Sequence, residues 1–235
     1  MDKTIRKAQL KILDVFSAFP STFALSGGTA LELFYLKHRF SKDLDFFSPK
    51  YNPFEINKLV AEFSKPLGKR LRLENELNVE GKARVRFYTV DIKKRTPLKI
   101  DFIEDVIFKK PLIKRFNQIP VYDVKNIYHQ KILTLIGTKL ELDRVGRETI
   151  TGRREPRDIV DVYYLSKRIC PLHKFIKKFP SYYRRGLIYW YRTYSRYNFK
   201  VEALELDIYD KEFDTSEVIR HLDKEIEKIV EEVIQ

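Results

Sequence analysis

Residues 23–47 read FALSGGTALELFYLKHRFSKDLDFF. A short apolar run ends in Gly27-Gly28, an amphipathic stretch follows, and Asp43 and Asp45 then stand one residue apart. Successive side chains of a strand point to opposite faces. The two aspartates would therefore share one face, with Leu44 and Phe46 turned toward a core on the other. Glycines at a helix start let backbone amides approach an anion that the helix dipole favours. Paired carboxylates are hard oxygen ligands of the kind Mg2+ takes. Together these features read as a site for a metal-bound nucleoside triphosphate.

Asp43 and Asp45 alone are a weak signal, because such pairs are common on solvated loops. A third acid strengthens it. In the stretch LKIDFIED, Leu98, Ile100 and Phe102 alternate with Lys99, Asp101 and Ile103. Asp101 thus points away from the apolar face of a strand that could lie beside the first. Three carboxylates on neighbouring strands can hold two Mg2+ ions, or hold one and activate an attacking hydroxyl. The alternative is a set of solvated strand carboxylates beside lysines. Ser26-Gly27-Gly28-Thr29 also has two readings. It is either a phosphate cradle with two hydroxyls or a glycine turn before a helix. Its place ahead of a carboxylate-pair strand favours the cradle.

The periodicity predicts a helix over 3–17 stopped by Pro20, a strand over 23–26, a helix over 28–37 and a strand over 43–48. A helix from Pro53 to about Phe63 and strands over 70–79, 83–91 and 98–104 follow. The strands at 70–79 and 83–91 alternate as half-exposed strands do. From Val124 the pattern turns helical, over 124–146, 156–168, 172–198 with a break near Pro180, and 214–234. The expected class is α/β (α+β): a mixed sheet with flanking helices over 1–120, then a helical domain over 121–235.

Composition bounds the partners. The 235 residues carry a net charge of +13 and 43% hydrophobic residues, and no apolar run is long enough for a membrane span. The N-terminus does not read as a signal peptide, and a single cysteine, Cys170, excludes an internal disulfide framework and a thiolate zinc site. The cytoplasm is the expected compartment. Residues 201–235 hold 12 acidic and 4 basic residues, leaving 42 basic against 21 acidic in residues 1–200. That basic body implies an anionic partner such as nucleotide or nucleic acid, or else a lysine-rich solvated surface.

Two further regions bear on chemistry. Lys131, on the predicted helix after Val124, and Arg157 could face a triphosphate and offset its charge. Arg157 and Asp161 are four apart on one helix face, so a surface pair is the local alternative. Residues 182–200, YYRRGLIYWYRTYSRYNFK, interleave five basic residues with eight aromatics and hold no acid. Stacking aromatics with phosphate-binding Arg184, Arg185, Arg192 and Arg196 would suit RNA. The favoured alternative puts Leu187, Trp190, Tyr191 and Tyr194 in one core-facing stripe with the arginines outside. The tail ends in a predicted amphipathic helix bearing Val218, Leu222, Ile226, Ile229 and Val233, which is expected to fold back on the body.

The stretch from Leu25 to Phe47 resembles the opening motif of the AbiEii/AbiGii-type nucleotidyltransferase toxin family. In that family a GGTAL-type segment leads to an arginine-serine-x-DLDF strand, followed closely here by Arg39-Phe40-Ser41-Lys42-Asp43-Leu44-Asp45-Phe46. The later acid matches Asp101, a helical lysine matches Lys131, and an RDxxDL element matches Arg157-Asp158-Ile159-Val160-Asp161-Val162. These motifs fall in order over about residues 20–168. Where some members carry a lysine before the glycine pair, this chain has Ser26. The resemblance implies a nucleotidyltransferase fold followed by a helical domain, with Mg2+ or Mn2+ and an NTP donor. It implies that Asp43 and Asp45 bind metal, that Asp101 completes the site or acts as base, and that Lys131 holds triphosphate. Ser26, Gly27, Gly28, Thr29, Arg157, Asp158 and Asp161 would complete the nucleotide site. It further implies a cognate antitoxin, and the expected acceptor is an RNA end, tRNA in some members, or a protein hydroxyl. A degenerate nucleotide- or RNA-binding protein and an enzyme acting on a small molecule are the alternatives.

Overall fold

The computed structural model describes residues 2–93, 96–137, 140–142, 144 and 148–234. The chain divides into two units, one up to Ile127 and one from Tyr128 onward. In the first, helix α1 (Lys3–Ala18) starts where the Asp2 carboxylate accepts the amides of Thr4 and Ile5. Strand β1 (Ala24–Ser26) leads directly into α2 (Gly27–Ala30), which continues as a π-helical turn (Leu31–Leu36). Strand β2 (Leu44–Ser48) and helix α3 (Pro53–Leu67) follow, α3 capped by Asn52 and closed by Gly68 at φ +61°. Strands β3 (Arg72–Leu77), β4 (Val85–Lys93) and β5 (Thr96–Glu104) form a meander, and β6 (Ile113–Phe116) and β7 (Ile119–Tyr122) form a hairpin.

These strands make one mixed sheet in the order β3-β4-β5-β2-β1-β7-β6. β2 runs parallel to β5 and antiparallel to β1, and β1 runs parallel to β7. One face is sealed by aromatic rings. Phe46 lies 4.6 Å from Phe16 of α1, 5.6 Å from Phe63 of α3 and 5.4 Å from Phe102 of β5, centroid to centroid. All four rings are fully buried. On the opposite face Asp45, Phe47, Asp101 and Ile103 remain half-buried. The sheet therefore has one dry side and one side open to chemistry.

The second unit is mainly helical: α4 (Val124–Ile136, within which the division falls), α5 (Pro156–Arg168), α6 (Leu172–Ile176), α7 (Ser181–Thr193), α8 (Arg196–Glu202) and α9 (Thr215–Ile234). Strands β8 (Leu140–Leu142) and β9 (Glu148–Ile150) pair between α4 and α5. On α9, Val218, Leu222, Ile226 and Ile229 are buried as the periodicity requires; the side chain of Val233 lies outside the described residues.

Several expectations are corrected. The helix predicted over 124–146 ends at Ile136, where Gly137 takes φ +84° and its amide caps Leu133 O at 2.7 Å. Residues 138–139, 143 and 145–146 of that prediction lie outside the described residues. The hairpin β6–β7 has no counterpart in the predicted elements. Its turn places Asn117 and Gln118 at positive φ, a geometry usually announced by Asn-Gly. Strand β3 is exposed along its whole length rather than half-buried, because it is the sheet edge. The break expected near Pro180 is present, and a second falls where Ser195 caps α8, so the stretch predicted over 172–198 forms three helices.

Phe46 joins both covering helices to the central strands, so Phe46→Ala leaves a cavity that no single neighbour can fill. The expected loss is about 3–5 kcal/mol, read from the shift in urea midpoint at constant slope. A loss under about 1 kcal/mol would show that the ring cluster does not hold the sheet.

Candidate active site

Register places the predicted carboxylates together. Asp45 on β2 lies directly opposite Asp101 on β5, and Ser26 at the end of β1 lies directly opposite Asp45. Opposed residues of paired strands share a face. Leu44, Phe46, Ile100 and Phe102 fill the other face, all 0% exposed. Asp43 sits one residue ahead of β2 and is half-buried, like Asp45 and Asp101.

The glycine turn closes on this row. Gly27 has φ +68°, and a Cβ there would lie 2.1 Å from Asp45 Oδ2. A Cβ on Gly28 would lie 2.7 Å from Ser41 Oγ and 2.9 Å from Arg39 Nη2. The backbone of the turn is thus packed between a carboxylate on one side and a hydroxyl and guanidinium on the other. Thr29 does not face outward as a simple hydroxyl donor for a ligand: its Oγ1 donates to the Asp43 carbonyl. Ser26 is fully buried at the N-terminus of α2. Arg39 and Ser41 belong to the sequence motif but not to the expected site residues. What brings them in is their contact with Gly28, invisible in the local pattern.

Two carboxylates opposed on neighbouring strands fit Mg2+, which takes one or two carboxylates and fills its octahedron with water and phosphate oxygens. A complete protein cage is a different arrangement. Among the described residues no three His, Cys, Asp or Glu side chains are grouped closely enough to form one.

The second unit builds its motif into an ion cluster. Lys131 Nζ on α4 lies 2.6 Å from Asp158 Oδ1 and 2.8 Å from Asp161 Oδ2, both on α5. Both aspartates are 0% exposed and Lys131 is 8% exposed. Arg153 approaches Asp158 Oδ2 at 3.5 Å from a solvent-facing position. Asp161 therefore pairs with Lys131, and Lys131 spends its charge on two carboxylates of its own unit. Arg157 is half-buried on α5. His129, two residues before Lys131 on α4 and so on a different side of the helix, contacts the Tyr183 hydroxyl at 2.7 Å. Burial lowers its pKa to about 4, so it stays neutral at physiological pH and offers no charge to a phosphate.

The aromatic stretch of α7 is mostly core. Tyr183, Leu187, Trp190, Tyr191 and Tyr194 are buried. Arg184 donates to Phe179 O at 3.3 Å, and Arg196 stacks on Tyr191 at 4.6 Å and donates to Asp223 at 3.3 Å. Arg185 and Arg192 are exposed. They lie seven apart on one helix face with half-exposed Tyr189 between them.

The fold is shared with proteins of known structure. JHP933 from Helicobacter pylori is 16% identical with a TM-score of 0.62, over 99% of this chain and 94% of its own. A second H. pylori structure is 16% identical with a TM-score of 0.58, over 97% and 94%. The nucleotidyltransferase toxin MenT4 from Mycobacterium tuberculosis is 14% identical with a TM-score of 0.48, over 96% and 82%. No functionally curated protein matches the sequence. The enzyme class is nucleotidyltransferase. Within it, the chain belongs to the family described as nucleotidyl transferase AbiEii toxin, type IV toxin–antitoxin system, which matches residues 11–234. That membership suggests a cognate antitoxin. Among the described residues no helix is long and apolar enough to cross a membrane.

Lys131→Met tests whether the ammonium is structural. Removing it takes the ammonium away from two buried carboxylates, and the expected loss of stability is about 3–5 kcal/mol. An unchanged denaturation midpoint, with folding intact, would contradict the buried cluster.

Proposed function

We propose that the chain transfers a nucleoside monophosphate from an NTP to the hydroxyl of an RNA acceptor, tRNA in particular, with a protein hydroxyl as the other macromolecular acceptor. The observation that carries this reading is the opposition of Asp45 and Asp101 beside the Gly27-Gly28 turn. The donor's phosphates lie over the turn, where backbone amides with the Arg39 guanidinium and Ser41 hydroxyl face them. Asp45 and Asp101 would hold the cation, with Asp43 one residue ahead of β2 beside them. Mg2+ or Mn2+, when bound, neutralises charge on the phosphates and on the leaving pyrophosphate. Asp101, on the far side of Asp45 from the turn, accepts the proton of the attacking hydroxyl. The new oxygen–phosphorus bond forms at the α-phosphorus in line with the bond to pyrophosphate, which breaks.

Lys131, Asp158 and Asp161 support this scheme as a fixed element of the helical unit rather than as a lysine waiting for phosphate. The basic body and the exposed Arg185–Tyr189–Arg192 face of α7 support a polyanionic acceptor. The cytoplasm, where Cys170 stays a thiol, suits the reaction.

The test incubates the intact chain and Asp45→Ala with Mg2+, total bacterial tRNA and each NTP in turn, radiolabelled at the α-phosphate. Label enters tRNA with the intact chain and falls to background with the variant. Label in the protein itself would move the acceptor to a protein hydroxyl. No label in either, with NTP still bound, would favour a nucleotide-binding protein or a small-molecule acceptor.

A further inference from the structure

Gln9 is the one polar residue among the six buried residues of α1, and it is 0% exposed. Its Nε2 donates to the carbonyls of Ser41 at 2.9 Å and Lys42 at 3.0 Å. Two carbonyl acceptors require the NH2 end of the amide, which fixes its orientation. The cost is on the other atom: Oε1 is buried with no hydrogen-bond partner among the described residues. A leucine would remove that unfavourable oxygen and continue the apolar stripe of Ile5, Ile12, Leu13 and Phe16. It would also leave the Ser41 and Lys42 carbonyls without a donor, so what the glutamine supplies and leucine cannot is a hold on the loop.

The same loop is held from a second side. Glu32, 3% exposed in the π-helical turn, accepts the Ser41 amide on Oε2 at 2.8 Å. Its Oε1 pairs with Arg6 of α1, whose guanidinium lies 4.8 Å over the Phe40 ring. With Thr29 on the Asp43 carbonyl, side chains bind four backbone groups of residues 41–43. These residues belong to no strand, yet they carry Ser41 and Asp43 to the site. Glu32 sits in the π turn, its carbonyl accepting the Lys37 amide five residues on, the kind of local irregularity that recurs at functional sites.

We propose that Gln9 and Glu32 are positioning residues for nucleotidyl transfer. They fix the loop that sets Asp43, Ser41 and Arg39 against the glycine turn, and neither needs to touch donor, cation or acceptor. This rests on the transfer reading above. Outer-shell residues that orient metal ligands typically change activity by about 10–100-fold.

The test compares the intact chain with Gln9→Leu and Glu32→Gln. For each it measures thermal midpoint, backbone hydrogen exchange over residues 37–43, and steady-state transfer. Gln9→Leu removes an unpartnered buried oxygen but also the donor of the Ser41 and Lys42 carbonyls, so it is expected to fold and to melt somewhat lower than the intact chain. Exchange over 37–43 speeds up, and kcat falls by about 10–100-fold while KM for the acceptor is unchanged. Full kcat in a folded variant overturns the proposal, and so does a fall in kcat with no change in exchange. If Gln9→Leu does not fold, Glu32→Gln carries the same comparison, since it keeps an acceptor for the Ser41 amide but loses the ion pair to Arg6. An intact chain that transfers nothing overturns the transfer reading and the positioning role with it. The exchange data then separate that failure from a loop the clamp never held.

Discussion

The backbone at Gly27 lies so close to the Asp45 carboxylate that no side chain fits between them. Any other residue would put its Cβ 2.1 Å from Oδ2 and would also have to adopt φ +68°. An L-residue in that region costs about 1–2 kcal/mol before the clash is counted. One close approach thus fixes the end of β1, the entry to α2 and the position of a carboxylate on β2. Asp101 is fixed in turn by the parallel pairing of β2 with β5.

Two different physical solutions surround this contact. On one face of the sheet, Phe16, Phe46, Phe63 and Phe102 exclude water and hold β2 and β5 in register. The loop before β2 is held instead by polar side chains, Gln9 and Thr29 on its carbonyls and Glu32 on an amide. Packing alone positions a strand to within its pleat. Directional hydrogen bonds are what place a loop carboxylate beside a strand carboxylate. The helical unit uses the opposite economy, burying Lys131 between Asp158 and Asp161 so that three charges hold α4 to α5. Such a cluster is sensitive to loss of any one member.

Much of this was legible in the sequence because it is written in short periods. Alternation around Asp43–Phe46 and Leu98–Ile103 gave the faces of two strands, and their partnership followed from the shared chemistry of the acids. The apolar stripe of α7 was equally readable: Leu187, Trp190, Tyr191 and Tyr194 at helical spacing are core. What escaped depends on contacts distant in sequence or on unusual backbone. Lys131 meets carboxylates 27 and 30 residues away, and a helical lysine carries no local mark of that. Gln9 lies in a helix that reads as an ordinary amphipathic one, 32 residues before the carbonyl it binds. The β6–β7 turn uses Asn117-Gln118 in place of a glycine turn, so its hairpin signal was silent. Edge strand β3 alternates like an inner one, and only the sheet order shows that nothing covers it.

The central claim is that Asp45 and Asp101 form one cation site completed by the donor's phosphates. The most direct measurement is a Mn2+ titration followed by electron paramagnetic resonance, with and without NTP, on the intact chain, Asp45→Asn and Asp101→Asn. The account predicts weak Mn2+ binding alone, much tighter binding once NTP is present, and loss of that gain in either variant with the fold retained. Equal Mn2+ binding by all three proteins in the presence of NTP would contradict it.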